Sequence, residues 1–166
     1  MRAAAALAAA LLCSCGGGGT SSDYGRRPEW TLTLPEGKTV SASDYDGKVV
    51  IVDFWATWCP PCRQEIPGFV ALQRKYADKG LAIVGFSFDH DPTAHENWIK
   101  EQGLNYRSIF ADSDAGRAVV EAFGKQVGEI SALPTTLVID RKGRIVYKHV
   151  GYGPPEEFEK VLAPLL

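Results

Sequence analysis

A chain of 166 residues with 45% hydrophobic content is long enough for one domain with a real core and too short for two ordinary ones. Its net charge is -2, with acids and bases spread along the whole length, so it carries no electrostatic footprint for nucleic acid. The four cysteines fall into two pairs, Cys13 with Cys15 and Cys59 with Cys62, which need separate explanations.

The first pair closes the segment "MRAAAALAAALLCSC". A lone Arg2 precedes an apolar stretch from Ala3 to Leu12, the length of a signal-peptide apolar region and about half of what a bilayer-spanning helix needs. It reads as an export leader rather than a membrane-spanning anchor. The residues "LCSC" resemble a bacterial lipobox, with Leu12 three before and Ser14 one before an acceptor Cys15. Taking Cys13 as acceptor would put Leu12 at the cleavage position, where a small residue is expected. The competing reading is a leader cut after an alanine, leaving either cysteine as a stray thiol. On the lipoprotein reading, residues 1–14 are a signal peptide and Cys15 carries the lipid. The domain is then exported and anchored to a bacterial membrane, each buried methylene contributing about 0.8 kcal/mol. The stretch "GGGGTSSDYGRRPE" has almost no apolar content, so residues 15–29 are expected to be a flexible tether and the folded domain to span 30–166.

From Trp30 onward strands and helices alternate. "WTLTLPEGKTV" predicts a short hairpin turning at Pro35 to Gly37, and "DYDGK" a turn into Val49 to Phe54. That run is almost uninterruptedly apolar and β-branched, as a central strand covered on both faces should be. A helix is expected from Pro60 to about Asp78, stopped by Gly80, and "LAIVGFSF" as a second buried strand. Asp91 and Pro92 supply an N-cap and a first-turn proline for a helix through about Gln102, closed by Gly103. A weaker strand around Ser108 to Ala111 and a helix from Asp114 to Phe123 follow. "TTLVID" and "RIVYKHV" read as strands joined by a tight "RKG" turn, and Pro155 opens a last helix. The succession predicts an α/β sandwich.

Cys59 and Cys62 sit at a strand-to-helix junction in "WCPPCRQEIP", where four uses of a thiol pair compete. Attachment of c-type haem needs His directly after the second cysteine, and Arg63 stands there. A structural zinc site needs four ligands, but the domain has no second cysteine pair and His90, His95 and His149 lack metal-type spacing with this one. A passive staple would close a loop holding only Pro60 and Pro61, where the entropic gain is small. A redox couple remains. Cys59 precedes the first helical turn, where unpaired N–H groups and the helix dipole favour a thiolate. That makes Cys59 the more exposed attacking thiol and Cys62, one turn in, the more buried resolving thiol. Pro60 and Pro61 suit positions where no helical N–H bond is being made.

"VDFWATWCPPCRQEIP" resembles the active-site segment of thioredoxin-fold proteins, in particular the extracytoplasmic TlpA/ResA/CcmG-like thiol:disulfide oxidoreductases. The resemblance runs from about Trp30 to the C-terminus. It implies a thioredoxin-like three-layer sandwich with a central mixed sheet, an N-terminal β-hairpin and an inserted helix and strand within "FSFDHDPTAHENWIKEQGLNYRSIFADSD". It implies that Asp53, six residues before Cys59, is the buried acid that takes the proton of Cys62; the alternative is a strand-end Asp bonded to a nearby N–H. By the same resemblance Glu65 tunes or relays protons for that thiol, against the alternative of a solvated helix acid. Pro67 falls where the family's helix is kinked. In "ALPTTLVID", Pro134 is implied to be cis, which would let the Leu133 backbone face Cys59 and pair with an extended substrate peptide. Trp58, and less readily Trp55, would shape the docking surface, together with Pro60 and Pro61. The three histidines are left as structural or surface residues.

The resemblance further implies a catalyst that needs no cofactor, because its cysteines carry the electrons, and that acts as a reductant of disulfide-bearing proteins. Its electrons would come from a membrane thiol reductase of the DsbD/CcdA kind, and its substrates would include apocytochromes c. The chain departs from the group in "GKQVGEISALP", where Lys125 to Glu129 lengthen the connection to the proline loop and would alter partner choice. Two other classes compete. A thiol peroxidase of the peroxiredoxin-related group would use a Pro-x-x-x-Thr-x-x-Cys setting, which is missing here. A non-catalytic docking module would not need both cysteines, Asp53 and Pro134 together.

Overall fold

The structure, a computed structural model, describes residues 22–166. The signal peptide expected at 1–14 and the lipidated Cys15 lie outside the described residues.

Seven strands and four helices follow in the order β1 (Thr31–Thr33), β2 (Thr39–Ser41), β3 (Val49–Trp55), α1 (Pro60–Tyr76), β4 (Leu81–Ser87), α2 (Pro92–Glu101), β5 (Arg107–Phe110), α3 (Asp114–Val127), β6 (Thr135–Ile139), β7 (Ile145–Val150) and α4 (Pro155–Leu162). β1 and β2 form the expected antiparallel hairpin. The other five strands form one mixed sheet in the order β5-β4-β3-β6-β7, with β3, β4 and β5 parallel and β6 and β7 antiparallel.

The alternation along β3 divides the core, because successive side chains of a strand point to opposite faces. Val50, Val52 and Phe54 face α3 and the hairpin, packing with Trp30, Phe86, Val119 and Phe123. Val49 and Ile51 face α1 and α4, packing with Phe69, Leu72, Phe158 and Leu162. Every residue of β3 is buried, as its apolar run demands. Trp55, at its end, joins a third cluster with Ala56, Cys59, Cys62 and Ile66, onto which Trp98 and Ile99 of α2 pack. The inserted helix thus roofs the redox end of the sheet.

Three boundaries differ from the sequence reading. The ordered domain begins before Trp30: Tyr24 donates to the Ile145 carbonyl at 3.1 Å and Arg27 to that of Gly143 at 2.8 Å. The Arg27 side chain is buried and paired with Asp46, so residues 24–29 belong to the domain rather than to a free tether. Second, α3 runs one turn past Phe123, because Val127 continues the buried stripe of Val119 and Phe123, and Gly128 at φ 82° ends it. Three of the five residues of the apparent insertion, Lys125 to Val127, are therefore helix. Third, α1 gives way at Tyr76 to a short 3-10 turn, Ala77–Lys79, before Gly80.

Candidate active site

Cys59 is the N-cap of α1, extended at φ -94° and ψ 106°, with Pro60 as the first helical residue. Its sulfur accepts from the Cys62 backbone N–H at 3.3 Å, so one of the helix's unpaired donors already points at the atom on which negative charge would form. The two cysteines are joined as a disulfide. Cys59 is the more exposed of them, but only at 4% against 1%, so the pair is far more covered than an open attacking thiol suggests. Pro67 lies inside α1, where its missing N–H leaves one helical bond unmade.

The turn before Cys59 is held by a residue the sequence reading passed over. Asp89, buried after β4, accepts the Thr57 N–H at 3.0 Å and the Thr57 hydroxyl at 2.6 Å through one oxygen, and the Ser87 hydroxyl at 2.6 Å through the other. These bonds fix the path of Ala56 to Trp58. Trp58 itself is 59% exposed, the most exposed large apolar side chain among the described residues. Trp55 belongs to the core instead: its indole N–H donates to Ser108 and its rings pack on Trp98 and His95.

Opposite α1, the Leu133–Pro134 peptide is cis. Leu133 packs against the cluster that contains Cys59, Pro134 is buried, and the Pro134 carbonyl accepts from Gly151 at 2.8 Å. A separate groove of about 450 Å³ is lined by Phe88, Val120 and Ile130 together with Arg117, Lys125 and Glu129. Phe88 belongs both to the groove and to the cysteine cluster, so the groove walled in part by Lys125 and Glu129 adjoins that cluster through one shared ring.

Two buried carboxylates lie near each other, one on β3 and one on α1, the helix that carries the cysteines. Asp53 is in the interior of β3, not at its end, and neither of its oxygens has a hydrogen-bond partner. The reading of a strand-end Asp satisfied by an N–H is thereby excluded. Burial, and then repulsion from Glu65, pushes its pKa well above the ordinary carboxylate value. Glu65, on α1, is 1% exposed and so is not a solvated helix acid. Its Oε1 accepts from the Gly153 N–H at 2.9 Å and its Oε2 from the Thr136 hydroxyl at 3.4 Å. Burial raises its pKa to about 8, against the opposing pull of those two donors. Thr136 stands opposite Asp53 in the β3–β6 register, so one hydroxyl lies between the two acids.

Gly153 cannot be replaced freely in this arrangement. A Cβ there would come within 2.6 Å of the Phe158 ring and 3.2 Å of His149 Nε2. The close approach that brings its N–H to Glu65 depends on having no side chain. Spacing rules could not have found Thr136, Gly153 or Asp89, since each acts across a long sequence separation. Among the described residues no group of three His, Cys, Asp or Glu side chains is placed to hold a metal ion.

The family model described as Redoxin matches residues 25–164. The chain is 32% identical over 135 residues to the thiol-disulfide oxidoreductase ResA of Bacillus thuringiensis (strain Al Hakam), covering 81% of this chain and 73% of that protein. It is 34% identical to the thioredoxin-like protein YneN of Bacillus subtilis (strain 168), covering 81% and 75%. Among solved structures, the thiol:disulfide interchange protein of the thioredoxin family from Chlorobium tepidum TLS superimposes with a TM-score of 0.76 at 32% identity, over 84% of this chain and 94% of that one.

Proposed function

The chain belongs to the Redoxin family, as a thiol-disulfide oxidoreductase of the ResA type with a thioredoxin-like fold, and on that premise we propose that it reduces protein disulfides outside the cytoplasm. The observation that carries the reading is the Cys59–Cys62 disulfide at the N-terminus of α1, backed by two buried acids and faced by the Pro134 loop. In the reduced enzyme the Cys59 thiolate attacks one sulfur of a substrate disulfide, expelling the other as a thiolate and leaving a mixed disulfide. Cys62 gives its proton to Asp53, attacks the Cys59 sulfur, re-forms the intramolecular bond and releases the reduced substrate. Glu65, next to Asp53 and largely protonated below pH 8, holds back a second negative charge in the same pocket. The couple works without a cofactor.

The Leu133 backbone and the exposed Trp58 supply the docking surface, and the groove walled by Lys125 to Glu129 receives the substrate chain beyond the reacting cysteine. The apolar leader-like segment and the lipobox-like Cys15 of the sequence support a domain held at the outer side of a bacterial membrane by a lipid anchor. No helix among the described residues is long and apolar enough to cross a membrane. Electrons return from a membrane thiol reductase of the DsbD/CcdA kind, and apocytochromes c awaiting haem are among the substrates.

The experiment is a Cys62→Ser trap in cells. Cys59 still attacks but the mixed disulfide is not resolved, so substrates stay covalently attached. Recovery of apocytochromes supports the maturation role, and a broad catch without them removes it. Failure of the purified wild-type protein to catalyse disulfide reduction by a small thiol would overturn the enzymatic reading.

A further inference from the structure

Cys59 stands before a helix whose first two residues are Pro60 and Pro61, and neither has an N–H to offer. An N-cap side chain accepts from the second or third helical residue, so the Cys62 N–H is left as the one helix donor on the Cys59 sulfur, at 3.3 Å. The next N–H, that of Arg63, goes to the Cys59 carbonyl at 3.1 Å. A thiolate on Cys59 therefore depends on the aim of its sulfur at a single N–H. The turn between β3 and α1 sets that aim.

The Cys59 N–H closes the turn by donating to the Ala56 carbonyl at 3.2 Å. Of the two residues at its corner, Trp58 is exposed, while Thr57 is held from the side. β3 and β4 run parallel with Trp55 level with Ser87, so two residues further along Thr57 meets Asp89. One Asp89 oxygen takes both the N–H and the hydroxyl of Thr57, at 3.0 and 2.6 Å, and the other takes the Ser87 hydroxyl at 2.6 Å. Asp89 is 3% exposed and forms no ion pair among the described residues, so these donors are what compensate its burial.

We propose that Asp89 is a positioning residue for the attacking thiol: by fixing Thr57 it keeps the Cys59 sulfur on the Cys62 N–H and so favours the Cys59 thiolate in the reduced protein. The proposal rests on the reading of Cys59 as the attacking thiol. The negative charge of Asp89 by itself works against a thiolate, whereas its hold on the turn works for one. The two influences have opposite signs, so substitutions that remove one or both of them give different results.

The test is the pH dependence of iodoacetamide alkylation of the fully reduced chain, with the labelled cysteine located by mass spectrometry. In Asp89→Ala the turn loses both Thr57 bonds. The Cys59 midpoint should rise by about one pH unit and alkylation below it slow about tenfold, the scale of one hydrogen bond to a charged atom. Asp89→Asn keeps an acceptor for Thr57 and drops the charge, so its midpoint should lie at or below the wild-type value. Arg63 and Glu65 of α1, Asp53 of β3 and His95 of α2, the other ionisable groups on the elements that meet here, are common to all variants. A residue that only stabilised the fold would lower the unfolding midpoint of Asp89→Ala and leave its alkylation profile on the wild type. That superposition overturns the proposal and leaves the reading of Cys59 standing. Should Asp89→Ala not fold, Thr57→Val decides, since it keeps the side-chain outline and loses the 2.6 Å bond. Its midpoint should rise by about half a unit, and an unmoved profile overturns the inference. Wild-type label on Cys62 instead of Cys59 removes the reading of Cys59, and the role of Asp89 with it.

Discussion

Asp53 and Asp140 are both buried carboxylates of the central sheet, one beneath the disulfide and one just after β6 at the opposite end, yet they are kept in opposite states. Asp140 accepts the N–H groups of Lys142 and Arg144 at 2.9 Å each and pairs with the Arg144 guanidinium at 3.0 Å. Burial alone would raise its pKa, but those donors outweigh it and bring the group below the ordinary value. Asp53 is more deeply buried, at 1% exposed against 8%, has no N–H donor and only the Thr136 hydroxyl to oppose the shift, and has a second acid beside it, so its pKa goes up. Burial disfavours the charge in both places, and the donors decide whether the charge survives. Asp140 is an ion that holds a turn. Asp53 is an acid with no structural bond to lose when it exchanges a proton.

The paired substitutions Asp53→Asn and Asp140→Asn put the largest strain on that contrast. Asp53→Asn should slow the resolving step about 100-fold, the scale of a lost general base, with stability at neutral pH unchanged or raised. Asp140→Asn should leave the rate alone and cost about 1–3 kcal/mol, because charge-assisted bonds to the turn are lost. Stopped-flow reduction kinetics and urea unfolding separate them. If both variants lost stability and kept their rates, Asp53 would be a structural residue like Asp140.

The pH dependence of stability should carry the same opposition. Glu65 has a folded pKa of about 8 against 4.5 for a free side chain, so it favours the folded state fully below about pH 4.5 and progressively less as pH rises through 8. Asp140, with its pKa lowered, acts in the other direction: its contribution is complete at neutral pH and is lost as pH falls below about 4. Unfolding midpoints should therefore decline between pH 5 and pH 8 in the wild type and decline less steeply in Glu65→Gln, where Asp53 still carries its own share of the slope. Gly153→Ala should act in the opposite direction and on a smaller scale, extending that decline to higher pH. The new Cβ meets Phe158, the loop must move, and Glu65 loses its backbone donor, at about 1–2 kcal/mol. A midpoint of the Glu65 carboxyl, followed by NMR, that rises above its wild-type value confirms the cause. An unchanged midpoint means the loop yields without releasing the bond.

The redox pair, its helix and the buried strand before it were legible in the chain, because each is written locally as a spacing or an apolar run, whereas the Pro134 loop was carried only by the resemblance of "ALPTTLVID" to the family. What surrounds Glu65 was not legible. Its donors come from Gly153 and Thr136, which reach it only after β6 and β7 have closed the sheet, so a solvated acid and a buried one look the same from "CRQE". The start of the domain was misread because "DYGRRPE" is polar by composition, yet its backbone docks onto the Gly143 to Ile145 segment and Arg27 finds Asp46. The helix before the proline loop was read as ending at Phe123, one turn early, although Val127 keeps the spacing of its buried face.

The two tryptophans before the cysteines offer the finest form of the comparison between a residue that holds the fold and one that faces a substrate. Trp55 is enclosed by Trp98, His95 and the cysteine cluster, whereas Trp58 lies in the open three residues later. A surface substitution away from packed contacts usually changes stability by less than about 0.5 kcal/mol, so Trp58→Ala should unfold at the wild-type midpoint. An aromatic anchor removed from an interface weakens binding by on the order of 1 kcal/mol, which corresponds to a KM about fivefold higher for a folded protein disulfide. The rate with a small aromatic disulfide, which buries no side chain beyond the sulfur, should stay as it was. A split between the two substrates assigns Trp58 to docking. Equal loss on both would instead mean that Trp58 orders the Asp89-held turn and acts on Cys59 itself.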